Sequence, residues 1–177
     1  IVLYFIKHFT MEVSFNFSPN LDKLGKYEEF IPQLALLIED EHEEVSVMAN
    51  VSAALKECFG WFWIGFYLVR GEQLILGPFQ GSTACYRIRK GKGVCGTAWA
   101  ESRTQVVPDV EQFPGHIACS SLSRSEIVVP LYNKDGQVCA VLDIDSEHLA
   151  TFDEIDKQCL EKVCQLIEYN IYHTSQL

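Results

Sequence analysis

Cys119, in HIACSSLSRSEIVVP, stands seven residues ahead of Glu126, and an acidic pair, Asp143 and Asp145, follows in VLDIDS. A second thiol, Cys85, lies upstream in GPFQGSTACYRI, and a third, Cys95, in GKGVCG. A thiol gathered with several carboxyl groups is a poor structural device but a workable reagent. Carboxyls crowded together cannot all ionise, so at least one stays protonated near neutral pH and can donate a proton to a ligand oxygen. Taken singly, each residue also has a plainer reading: free cysteine commonly packs as a small hydrophobe, and aspartates are mostly solvated. Cys119, however, falls in a polar loop with Gly115, His116 and several serines, where function is commoner than burial. Cys85 falls on a strand-like segment. Cys95 opens a short helix, where the positive end of the dipole favours a thiolate. Cys58, Cys139, Cys159 and Cys164 lie on apolar faces of regular elements and read as core.

These groups meet only if the elements carrying them are neighbours. Alternate residues of a strand share a face, so Asp143 and Asp145 point one way while Leu142 and Ile144 point to a core. SEIVVPLYN and QVCAVLDID flank Lys134, Asp135 and Gly136, a strong hairpin signal. That hairpin pairs the strand begun by Glu126 with the strand of the two aspartates, laying three acids across two neighbours. Upstream, FWIGFYLVR, a turn at Gly71, LILGPFQ and STACYRIR read as further strands, and TQVVPDV as another. VCGTAWAES reads as a short helix, and residues 108–123 as a loop. Helical spacing from Lys26 to Glu39, with Pro32 expected to kink the helix or start a new turn, and from Val45 to about Phe59 puts two helices in front. Thr151 with Glu154 suggests a capping box for a final helix that buries Ile155, Cys159, Val163, Leu166 and Ile167. The pattern predicts an α+β domain, a central antiparallel sheet of about six strands flanked by N- and C-terminal helices.

At 177 residues and 48% apolar, the chain has the size and composition of one folded domain. We expect an N-terminal extension over residues 1–20 and a single catalytic domain over 21–177, with residues 1–10 read as upstream sequence ahead of Met11. A net charge of -10 argues against nucleic acid and anionic membranes. Seven cysteines without a CxxC pair fit a reducing cytoplasm better than a secreted disulfide framework. His116 and Cys119 are three apart, but no second pair at ligand spacing accompanies them, so neither a metal nor another cofactor is expected. Gly91 and Gly93 resemble a phosphate loop without the Lys-Ser or Lys-Thr it needs. On its own, the Trp61, Phe62, Trp63 run reads as sheet core before a ligand cage.

Taken together, WIGFY with Trp63, GPFQG with Cys85 following, GKGVCG with Cys95, GHIAC with Cys119, SEIVVP with Glu126 and VLDIDS with Asp143 and Asp145 resemble the free methionine-(R)-sulfoxide reductases, enzymes built on a GAF-type domain. The resemblance runs from about Tyr27 to Ile167. It implies that Cys119 is the nucleophile, that Cys85 resolves, and that Cys95 assists or resolves in its place. It also implies that Glu126, Asp143 and Asp145 hold the sulfoxide, and that Trp63 receives the methyl group. Free methionine-(R)-sulfoxide, a thioredoxin-like dithiol and a homodimer partner come with the same likeness. The chain departs from the family pattern at Ser120, where an aspartate is frequent, and at Arg124, where a smaller polar residue is usual. GAF-type domains also serve as small-molecule binding or redox-sensing modules, which is the competing expectation.

Overall fold

The computed structural model describes residues 14–117 and 119–173; the expectation for residues 1–10 lies outside the described residues. Alternation along two strands organises everything else. In β5 (Ser125–Tyr132) Ile127, Val129 and Leu131 turn to one side of the sheet, and in β6 (Val138–Ser146) Ala140, Leu142 and Ile144 do the same. Glu126, Val128, Val141, Asp143 and Asp145 are left for the other side. The two strands pair with Glu126 opposite Asp145 and Val128 opposite Asp143. Gly136, at φ 73°, closes their connecting turn, and Asn133 Oδ1 accepts from the amides of Asp135 and Gln137 at 3.0 Å each.

β1 (Trp63–Arg70) lies on the far side of β6, so that Trp63 is opposite Asp145 and Gly65 opposite Asp143. β2 (Gln73–Gln80), β3 (Arg87–Arg89) and β4 (Gln105–Val107) complete an antiparallel sheet in the order β3-β2-β1-β6-β5-β4. The helices α1 (Lys23–Ile38), α2 (Glu44–Phe59) and α4 (Glu154–Glu168) cover one face with Tyr27, Phe30, Leu34, Met48, Leu55, Leu160 and Val163. The short helix α3 (Gly93–Glu101) covers the other, where Trp63, Tyr67, Val94, Ala98 and Trp99 form a smaller core. The α+β architecture and the six antiparallel strands are those the sequence predicts. Residues 14–20 pack against α1, Phe15 stacking on Phe30 at 5.2 Å and Ser18 donating to Glu29 at 2.6 Å.

Several local readings change. α1 continues through Pro32 as one helix rather than starting anew there, with Gln33 Nε2 donating to the Glu29 carbonyl at 2.8 Å. The segment STACYRIR forms a strand only at Arg87–Arg89, which puts Cys85 in a loop rather than on a strand. The capping box of α4 is Asp153 with Asp156, because Thr151 turns its hydroxyl to Ser146 Oγ at 2.7 Å. With that start, α4 buries Asp156, Cys159, Leu160, Val163, Cys164 and Ile167, while Ile155 is 38% exposed. Among the described residues no helix is long and apolar enough to cross a membrane.

Candidate active site

The face of the sheet opposite α1, α2 and α4 carries a pocket over the crossing of β1, β6 and β5, walled by α3 and roofed by His116, Ile117, Cys119, Ser120 and Ser123. Its lining includes Trp63, Cys95, His116, Cys119, Glu126, Asp143 and Asp145, and about 30 Å³ of free volume remains inside. Cys85 and Cys119, 34 residues apart in sequence, are joined as a disulfide with Cα atoms 5.5 Å apart, pinning the roof to the loop that precedes β3. The Tyr67 hydroxyl donates to the Cys85 carbonyl at 3.1 Å and steadies that loop from below.

The floor is acidic and closed off from water. Glu126 and Asp143 are only 6% and 7% exposed, and Asp143 Oδ1 is buried without a hydrogen-bond partner. Burial, and next the charge of Asp143, hold the Glu126 carboxyl well above the usual carboxylate range. Asp143 is pushed up in the same way, by burial first and then by Asp145. Half-buried Asp145 is raised by burial to about 6, although a hydrogen bond from Ser123 Oγ favours its charged form. Near neutral pH the floor is therefore a mixture of neutral carboxylic acid and carboxylate.

Cys95 comes from the first turn of α3 and turns its Sγ to Glu126 Oε1 at 3.9 Å. The sequence reading of a dipole-stabilised thiolate does not hold there. Burial, followed by the charges of Asp143 and Glu126, raises this thiol well above its ordinary value, so it stays protonated. The dipole of a nine-residue helix is outweighed by complete desolvation next to acids. His116 Nε2 lies 3.9 Å from Glu126 Oε2, and burial lowers its pKa, so a neutral imidazole faces a neutral acid.

Trp63 forms one wall, its ring stacked on Phe79 at 5.4 Å and its Nε1 donating to the Ser82 carbonyl at 3.0 Å. Two glycines make room for it. A Cβ on Gly65 would lie 2.6 Å from Trp63 Cη2 and 2.4 Å from Phe79 Cβ, and one on Gly81 would lie 2.5 Å from Trp63 Cδ1. The glycines of WIGFY and FQGS thus keep the indole at the pocket.

All seven residues singled out from sequence come together: Cys119, Cys95, Glu126, Asp143, Asp145 and Trp63 line the pocket, and Cys85 is bonded to Cys119. Of the two departures from the family pattern, Ser120 lines the pocket, whereas Arg124 does not and its buried Nε has no partner. Sequence reasoning missed Tyr67, Ser123 and Lys92, and gave His116 no role beyond a rejected zinc pair. His116 had a signal in its place beside Cys119 in the GHIAC motif. Ser123 had none, because only the β5–β6 register brings it to Asp145.

This sheet, its helical layer and the roofed pocket define a GAF domain, and the family model described as GAF domain matches residues 41–171. The chain is 57% identical over 147 residues to "GAF domain-containing protein A" of Dictyostelium discoideum, covering 82% of this chain and 92% of that protein. It is 43% identical over 164 residues to a free methionine-R-sulfoxide reductase of Saccharomyces cerevisiae, covering 86% of this chain and 89% of that protein. The X-ray structure of free methionine-R-sulfoxide reductase from Neisseria meningitidis in complex with its substrate is 53% identical. It superposes with a TM-score of 0.86 over 89% of this chain and 94% of that one. The chain belongs to the free methionine-R-sulfoxide reductase family of GAF domains.

Proposed function

We propose that this chain reduces free methionine-(R)-sulfoxide to methionine, with Cys119 as the nucleophile. A sulfoxide sulfur is a reluctant electrophile until its oxygen is protonated or hydrogen-bonded. A neutral carboxyl among Glu126, Asp143 and Asp145 supplies that proton, and the remaining carboxylate stabilises the positive charge developing on sulfur. The Cys119 thiol attacks the protonated sulfoxide, the S–O bond of the substrate breaks as its oxygen passes to Cys119 Sγ, methionine departs with its own sulfur reduced to the thioether, and Cys119 is left as a sulfenic acid. The Cys85 thiol then condenses with it, releasing water and forming the disulfide. An external dithiol such as thioredoxin exchanges the bridge open and is itself oxidised. Cys95, kept neutral by the same acids, serves as the reserve thiol, and Trp63 receives the methyl group.

The observation that carries this reading is the Cys85–Cys119 bridge lying over buried, partly protonated acids. The relatives named as free methionine-R-sulfoxide reductases support the choice of substrate. The roof formed by His116, Ile117, Cys119 and Ser120 favours a free amino acid over a continuing polypeptide. With the bridge closed, about 30 Å³ accommodates one or two waters rather than an amino acid, so substrate enters after reduction. Turnover in a reducing cytoplasm, as a homodimer, follows the family likeness.

The test couples free methionine-(R)-sulfoxide to NADPH through thioredoxin and its reductase. Wild type should consume NADPH with methionine formed in equal amount. Cys119→Ser should lose turnover by at least about a thousandfold, and Cys85→Ser should release one methionine per chain in a fast first turnover and then recycle only at the slower rate that the reserve thiol Cys95 allows. An unchanged rate in Cys119→Ser would end the proposal.

A further inference from the structure

We infer that the pocket floor is also a binding site for a borderline-soft divalent cation, Zn²⁺ above all, which occupies it in competition with the sulfoxide. Cys95 from α3, Glu126 from β5 and Asp143 from β6 are all buried, and each offers a donor atom within 4.8 Å of the others. A second observation marks the same place as wanting a ligand: Asp143 Oδ1 is buried in the floor with no hydrogen-bond partner. His116 Nε2, at 3.9 Å from Glu126 Oε2, is the nearest candidate for a fourth donor.

One sulfur, one imidazole nitrogen and two carboxylate oxygens is a set that zinc accepts, at about 2.3 Å to sulfur and about 2.0 to 2.2 Å to nitrogen and oxygen. A thiolate donor disfavours magnesium and calcium, which take oxygen. Tetrahedral coordination places donors about 3.5 Å apart, so the three present need shifts of about 1 Å, within reach of side-chain rotation. On binding, the Cys95 S–H and the carboxylic O–H groups release their protons to solvent. The ion then offsets two of the three negative charges so formed on Cys95, Glu126 and Asp143, charges that the fold otherwise suppresses by protonation. That the ion excludes substrate rests on the assignment of the same acids to the sulfoxide; the site itself does not.

The experiment uses the full chain with the Cys85–Cys119 bridge formed, so that Cys95 is the single free thiol in the pocket. The other free cysteines, Cys58, Cys139, Cys159 and Cys164, belong to the helical-side core. Cobalt(II) is titrated into metal-free protein as the spectroscopic probe, with Zn²⁺ as competitor. One equivalent should produce a near-ultraviolet thiolate-to-cobalt charge-transfer band that Zn²⁺ abolishes. Cys95→Ser should lose the band, and Glu126→Gln should weaken binding by at least about tenfold. Should either variant fail to fold, zinc K-edge absorption on wild type decides alone: one sulfur in the first shell is expected. A shell of oxygen and nitrogen only, the absence of a band, or a band that survives in folded Cys95→Ser overturns the site. Turnover assayed separately in chelator-containing buffer tests the reductase reading, and its absence there would leave the cobalt result standing.

Discussion

Replacing Asp145 with asparagine isolates the cost of the acidic floor. The side chain keeps its size and can still accept the Ser123 hydroxyl, but it no longer ionises. In the wild type, burial raises Asp145 from 3.8 to about 6. A carboxyl raised on folding binds its proton more tightly in the native state, so stability is fully present below pH 3.8 and is lost as pH climbs through about 6. At about 1.4 kcal/mol per pH unit the loss has a ceiling of about 3 kcal/mol, and partial contact of the side chain with solvent trims it to about 1 to 3 kcal/mol. Asp145→Asn should therefore match wild type at pH 4 and exceed it by that amount at pH 8, a rise in Tm of about 3 to 10 °C. Removing the Asp145 charge also relieves Glu126 and Asp143, both of which it raises, so the second effect has the same sign. Urea melts at pH 4, 5, 6, 7 and 8, with the disulfide intact in both proteins, make the comparison. Parallel stability curves, or a variant that is weaker at pH 8, would refute the argument that these acids are crowded at a cost to stability.

If activation of the sulfoxide by a neutral acid limits the rate, kcat/KM should decline on the alkaline side, and Asp145→Asn should move that decline to lower pH by lowering the pKa of Glu126 and Asp143. A profile that rises through the alkaline range with the Cys119 thiolate would contradict it. Gly65→Ala should cost about 1 to 3 kcal/mol and raise KM more than it lowers kcat, since its Cβ would meet Trp63 and Phe79 at 2.6 and 2.4 Å; denaturant melts and steady-state kinetics check both. Asp156→Ala removes the reciprocal cap of α4 and leaves the buried Tyr27 hydroxyl, now bonded to Asp156 at 2.9 Å, without its partner. It should destabilise by about 2 to 4 kcal/mol in the same melts while kcat in the refolded enzyme stays within about twofold, because this cluster is on the far side of the sheet from the pocket.

The strands and their hairpin were readable because period-two alternation and a turn with an obligatory glycine are local properties. Leu142 and Ile144 against Asp143 and Asp145 declare two faces without any knowledge of a partner. The same locality explains the misreadings: Thr151 and Asp153 are both good caps, and the choice fell to Asp153 because Ser146, reached across a turn, took the Thr151 hydroxyl. Cys85 read as strand because its neighbours have β-forming types, yet its backbone serves the loop held by Tyr67 and by the bridge to Cys119.

Residue types alone singled out the candidate reagents of this site: one thiol in a polar loop, a second upstream and three acids that alternation places on one side of a hairpin. Their protonation was decided only by tertiary structure. The charge state of Cys95, Glu126 and Asp143 depends on how completely water is removed from them, and that follows from α3, His116, Ile117, Cys119 and Ser120 closing over the β1–β6–β5 face. Desolvation is a property of the whole enclosure, contributed by residues scattered from Trp63 to Asp145, so no spacing along the chain records it.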